Sequence, residues 1–193
     1  LKKIAITGGI ASGKSTLLKI LSELGQVVLS CDDIVQNLYE DDQTKRELVK
    51  LLGEDILDQD GRLNRRKILE KIVADPILKK RLENFIHEKV WAYLERRFKE
   101  YEPMGIKAVF VEVPLLFEAG WEYRFDEIWV VSCQMETQIK RLLEQGRSHH
   151  LPFIDKQFPL EEKVKKAHRV FSSEVPITEL KKEVEKILSQ FCN

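Results

Sequence analysis

Four short runs of this chain are apolar almost without interruption: "KIAIT" (residues 3–7), "QVVLS" (26–30), "IKAVFVEV" (106–113) and "EIWVVS" (127–132). A strand with one wet face alternates apolar and polar residues, whereas a strand covered on both faces does not. The runs are rich in valine and isoleucine and are separated by segments of helical periodicity. They therefore predict a parallel sheet buried between crossover helices, an α/β fold. A weaker run, "HRVFSS" (168–173), is a candidate fifth strand. A chain of 193 residues can bury such a core within one domain.

The second and third runs stand far apart, and residues 31–105 between them carry helical patterns instead of a single crossover. The longest begins at Asp75-Pro76, where aspartate can cap the free amides and proline suits the first helical position. Ile77, Leu78, Leu82, Phe85, Ile86, Val90, Tyr93 and Leu94 then recur at three- and four-residue spacing, so one face of a helix from Pro76 to about Tyr101 is apolar. This block predicts an inserted helical lobe over 34–103, with room for a second substrate. The remaining core comprises 1–33, 104–145 and 159–193, with a short lid at 146–158 and a closing amphipathic helix from Ile177 to Phe191.

The first strand runs into "AITGGIASGKST" (5–16). Gly8, Gly13, Lys14 and Ser15 satisfy GxxxxGK[ST] between a predicted strand and a predicted helix, the context a phosphate-binding loop requires. Its glycines let the backbone fold around a phosphate, its amides point inward and the following helix offers its positive end. On this reading Gly9, Ile10, Ala11, Ser12, Gly13, Lys14, Ser15 and Thr16 hold the nucleotide. Lys14 reaches the β- and γ-phosphates, and the Ser15 hydroxyl ligates magnesium. ATP or GTP is the implied ligand.

Composition narrows the class of protein. Lysine plus arginine and aspartate plus glutamate each number 32, so net charge is zero. A general nucleic-acid or membrane-surface binder is expected to be more basic. The 3 cysteines form no CxxC pair, and an odd number fits free thiols in a reducing, cytoplasmic setting. No apolar run reaches the roughly 20 residues needed to span a bilayer. A guanine-recognition NKxD motif is absent. "DQDG" (58–61) follows a helical segment instead of a buried strand, so it reads as a polar turn. Small-molecule kinases remain, and these need an acid near the acceptor hydroxyl. "SCDDI" (30–34) closes the second strand, where ligands bind in open α/β sheets. One of Asp32 and Asp33 is expected to take the hydroxyl proton and the other to cap the next helix. Glu112, at the end of the third strand, is a candidate to hold magnesium through water.

Together, "ITGGIASGKST", "CDDI", "DGRLNRR" (60–66), "VPLLFE" (113–118) and "TQIKRL" (137–142) resemble the dephospho-coenzyme A kinases, in order, from residue 3 to about 142. The resemblance implies a P-loop NTPase fold of nucleoside-monophosphate-kinase type, with a five-stranded parallel sheet, a helical coenzyme-A-binding lobe and a lid. It implies ATP-dependent phosphorylation of the ribose 3′-hydroxyl of dephospho-coenzyme A, with magnesium. Asp32 matches the family's presumed base, Arg65 the arginine of "DGxLxR" near the acceptor's phosphates, and Arg141 the "QxxR" arginine near the nucleotide. His87, Pro114 and Leu115 fall at substrate-lobe and "PLLFE" positions expected to line the acceptor site.

Several positions depart from the family pattern. Ala11 replaces a glycine, which suits only a negative φ. Ser30 replaces the first aspartate of "DAD", and Glu88 follows His87 where the family has proline. Gln145 stands where a lid arginine is expected, so Arg147 is the candidate for that catalytic charge, with Lys156 as a second. "ADxxIxN" becomes "AHRVFSS", bringing in His168 and Ser173. The adjacent His149 and His150 have no third ligand at a suggestive spacing and are expected to be exposed loop residues. Two further readings stay open: a kinase acting on another small hydroxyl acceptor, such as a nucleoside or sugar, and a nucleotide- or coenzyme-A-binding regulator that has lost its chemistry.

Overall fold

The computed structural model describes residues 1–154 and 158–191. Among them five strands, β1 (Lys2–Gly8), β2 (Val27–Ser30), β3 (Ala108–Glu112), β4 (Glu127–Ser132) and β5 (Arg169–Ser172), form one sheet in the order β2-β3-β1-β4-β5. Every neighbouring pair is parallel. The weak fifth run is a true strand at the sheet's edge. Only Phe171 of β5 is buried, which accounts for its faint apolar signal.

The helices are α1 (Lys14–Glu23), α2 (Cys31–Glu40), α3 (Asp42–Leu52), α4 (Arg65–Ala74), α5 (Pro76–Tyr101), α6 (Met135–Glu144), α7 (Leu151–Ile154), α8 (Leu160–Lys166) and α9 (Ile177–Ser189). Asp75 Oδ1 accepts from the Ile77 and Leu78 amides at 3.1 and 3.2 Å, so α5 starts at the predicted cap. Leu82, Ile86, Val90 and Leu94 of α5 are buried, but Ile77 is 69% exposed and does not belong to the apolar face. It sits in the first turn, beside the cap. "DQDG" is a turn: the Asp58 amide donates to Arg62 O, and Leu57 bridges to Leu63 across it.

The chain divides into two compact units, one of Leu1–Cys31 with the described residues from Phe98 onward, the other of Asp32–Arg97. In the first, one face of the sheet is covered by α1 and α9. Alternate residues Ile4 and Ile6 of β1 share that face with Phe110, Trp129 and Phe171. The Trp129 ring lies 5.0 Å from both Phe110 and Phe171, centroid to centroid. In the second unit, Leu48 of α3 and Ile56 of the turn after it are fully buried.

Candidate active site

The central strand β1 opens into the loop of residues 8–13, and α1 begins at Lys14. Four successive loop carbonyls each accept a hydrogen bond from a side chain. Lys163 Nζ donates to Gly8 O (3.1 Å), Lys14 Nζ to Gly9 O (3.0 Å), Gln138 Nε2 to Ile10 O (2.8 Å) and Arg141 Nη1 to Ala11 O (3.0 Å). Across a trans peptide the C=O of one residue and the N–H of the next point in opposite directions. Fixing these carbonyls therefore aims the amides of Gly9, Ile10 and Ala11 away from the four side chains, as an oxyanion nest requires. The Ser12 amide instead turns back to Gly9 O at 3.1 Å.

Two glycines are required by close approach. A Cβ on Gly8 would stand 2.7 Å from the main-chain Val131 O, and one on Gly13 would stand 2.5 Å from Ser173 Cβ. Gly13 also has φ 100° and serves as the N-cap of α1. Ala11 overturns the sequence expectation: its φ is +55°, in the left-handed region, where a Cβ costs roughly 1–2 kcal/mol. The nest needs a left-handed residue there, and the Arg141 bond to Ala11 O holds it in place.

Ser12 is buried, and its Oγ has no protein hydrogen-bond partner among the described residues. Ser15 is exposed and Thr16 half-buried, both in the first turn of α1. Glu112 ends β3, in register with Ile6 of β1 and Ser30 of β2. Ser30 thus stands beside the acid that the third strand delivers, and an aspartate there would crowd a second carboxylate against it. Pro114 O accepts from Thr7 Oγ1 (3.2 Å) and from Lys163 Nζ (3.4 Å), whereas the Leu115 side chain is exposed.

Arg141 does more than its motif suggests. Besides Ala11 O, it donates to Ser173 Oγ (2.9 Å) and Ser173 O (3.1 Å), strapping the loop after β5 to the phosphate loop. Cys133, near Ala11 O, is buried, and burial raises its thiol pKa above the usual value. His168 belongs to the sheet: its amide donates to Ile128 O and its Nδ1 accepts from the Ile128 amide. Arg147 is half-buried, and its guanidinium donates to Gln145 Oε1 at 3.1 Å. The structure thus engages it with the residue that replaced the expected lid arginine. Next to it the His149 and His150 rings lie 4.2 Å apart. Lys156 lies outside the described residues.

Helix α2 starts at Cys31, the last residue before the second unit, so Asp32 and Asp33 occupy its first turn. Neither sits at the capping position before the helix, which corrects the expected division of roles. At the second and third helical residues both instead favour the positive end of α2. Arg65, the first residue of α4, is exposed and lies 5.1 Å from the centre of the Tyr39 ring. Burial raises the Tyr39 pKa, and the Arg65 charge opposes that rise. His87 is half-buried on α5.

Sequence reasoning missed two members of the carbonyl clamp. Gln138 lies three residues before Arg141, on the same face of α6, and that spacing was a usable signal. Lys163 carried none, because a lysine in "LEEKVKK" reads as a solvated helix residue.

The family profile described as Dephospho-CoA kinase matches residues 2–179. The chain belongs to the dephospho-CoA kinase family. A dephospho-CoA kinase of Geobacter sulfurreducens is 35% identical over 188 residues, covering 95% of each chain. Among solved structures, the Thermus thermophilus protein TT1252 is similar, with a TM-score of 0.82 and 31% identity over 98% of this chain and 97% of that one. A dephospho-CoA kinase from Campylobacter jejuni superposes with a TM-score of 0.71 and 26% identity, covering 97% and 96%.

Proposed function

We propose that this chain transfers the γ-phosphoryl group of ATP to the ribose 3′-hydroxyl of dephospho-coenzyme A, giving coenzyme A and ADP. The observation that carries this reading is the loop of residues 8–13, whose amides are aimed by bonds to four consecutive carbonyls. Family membership supplies the acceptor. Lys14 leaves Gly9 O to pair with the transferring phosphate, while Gly9, Ile10 and Ala11 donate their amides to it. Ser12 Oγ, buried without a protein partner, suits a ligand oxygen.

Asp32 takes the acceptor's hydroxyl proton from its place in the first turn of α2. Arg65 and His87, in the helical unit, and Pro114 and Leu115, in the sheet unit, are the further residues we assign to the acceptor. Arg141 borders the nucleotide, and Arg147 supplies the lid's positive charge. The donors Ser15 and Glu112 are hard oxygens, which suit magnesium, with Glu112 acting through water. Bound magnesium would neutralise charge on the β- and γ-phosphate oxygens.

Among the described residues no helix is long and apolar enough to cross a membrane. The buried free thiols Cys31 and Cys133 support a reducing cytoplasmic setting; Cys192 lies outside the described residues.

The deciding assay is mass-spectrometric detection of coenzyme A from protein, ATP, magnesium and dephospho-coenzyme A, with Asp32→Asn alongside. The parent should form product and the variant should lose roughly 10²- to 10⁴-fold in kcat. Full activity in Asp32→Asn would remove Asp32 as the base. Nucleotide binding without product from the parent would leave a binding protein, and faster turnover of a nucleoside or sugar would reassign the acceptor.

A further inference from the structure

Lys163 of α8 is fully buried, a placement that lysine rarely takes without partners. Its three N–H donors meet three acceptors: Gly8 O at 3.1 Å, Pro114 O at 3.4 Å and Glu118 Oε1 at 3.3 Å. Gly8 is the last residue of β1, where the phosphate loop begins. Pro114 and Glu118 belong to the segment after β3. The ammonium therefore joins the start of the loop, the segment after the magnesium-candidate acid and the helix that follows the expected lid.

We propose that Lys163, with Glu118 as its counter-charge, is a positioning residue for nucleotide binding, setting the direction of the first loop amide. It touches no substrate. Its bond to Gly8 O aims the Gly9 N–H, and its fixed positive charge sits one peptide from the anion nest, where low polarity makes a charge effective. The role rests on the kinase reading for its consequence in turnover, but its effect on nucleotide affinity stands apart from the identity of the acceptor.

The arrangement depends on the proton. A neutral amine keeps two N–H donors and turns a lone pair on the third acceptor. Burial lowers the Lys163 pKa from its ordinary 10.5, and the Glu118 charge and hydrogen bond oppose that fall. Gly8 and Pro114 face it with carbonyls only. On its own helix Glu162 is paired with Lys165, and Glu127, the titratable residue of the neighbouring β4, is engaged by Lys2, Trp129 and Arg169.

The test is calorimetric titration of ADP into the parent, Lys163→Met and Glu118→Gln, between pH 7 and pH 10.5. Steady-state kinetics on ATP and dephospho-coenzyme A run alongside, and circular dichroism checks folding. Lys163→Met should weaken ADP by about tenfold or more while the KM for dephospho-coenzyme A stays within about twofold. Glu118→Gln keeps the lysine and both carbonyls but removes the opposing charge. Its ADP affinity should decline at a lower pH than that of the parent. Unchanged ADP affinity in a folded Lys163→Met, or equal losses toward both substrates, would overturn the proposal. So would a Glu118→Gln pH profile that superimposes on the parent's, which decides the matter if Lys163→Met does not fold. A parent that binds ADP but forms no coenzyme A would overturn the kinase reading and leave the ADP comparison to judge Lys163.

Discussion

Ala11 carries a side chain through a backbone conformation that glycine adopts without strain, at φ +55°. Replacing alanine by glycine ordinarily lowers stability by about 0.5–1 kcal/mol, because the unfolded chain gains freedom. Here relief of the left-handed Cβ, worth roughly 1–2 kcal/mol, acts in the opposite direction. Ala11→Gly should therefore leave stability unchanged or raise it slightly, by urea denaturation, with nucleotide affinity retained. A loss of 1 kcal/mol or so, the ordinary glycine cost, would show that residue 11 is not left-handed in solution. The motif's spacing predicted which residues line the loop, but φ at residue 11 is set by the bonds around it.

At the scale of the element, α5 shows how completely a helix can be anticipated. Its start, its end and most of its buried positions follow from the Asp75-Pro76 signal and the apolar period, because both are local properties of the chain. Asp75→Ala removes the acceptor for two amides. It should lower stability by about 1 kcal/mol in chemical denaturation, with kcat of the folded protein unchanged. An equal stability would mean that water caps the helix as well as the carboxylate does. By contrast α8 is short, charged and polar in composition, and nothing in its seven residues distinguishes Lys163 from Lys165 or Lys166. Only the packing of the helix puts one of the three out of water. Asp32 and Asp33 make a related point: their adjacency suggested one cap and one acid, but α2 begins at residue 31, whereas a cap at either would require it to begin at residue 33 or 34.

For the molecule as a whole, the sheet is tied at the strand starts by Glu127. It pairs with Lys2 of β1 at 2.6 Å, accepts from Trp129 Nε1 at 2.9 Å and meets Arg169 of β5 at 3.5 Å. Burial alone would raise its pKa, but the bonds from Lys2 and Trp129 and the charges of Lys2 and Arg169 outweigh that, leaving it below the ordinary 4.5. The folded protein therefore binds this proton less readily than the unfolded chain does. The resulting stabilisation is present above pH 4.5 and is lost as pH falls through the depressed folded value. Glu127→Gln should be less stable at pH 7, and the gap from the parent should close on acidification, followed by thermal melts across pH 3 to 7. A gap that stayed constant would mean that Glu127 stabilises by packing instead of charge.

The buried strands, the long helix, the phosphate loop and the family were legible from residues in sequence, because apolar period, capping chemistry and motif spacing are all local. The sequence alone therefore determined an α/β kinase scaffold and the chain positions of most candidate site residues. What it could not determine was which distant side chains hold the loop. Lys163 and Gly8 are 155 residues apart, and Arg141 and Ala11 are 130 apart. Such contacts arise only once the parallel sheet has brought β1, β3, β4 and the following helices to one edge. That edge decides which lysine loses its water and which alanine is bent into a left-handed turn, because burial and hydrogen-bond satisfaction belong to the packed structure and not to the chain.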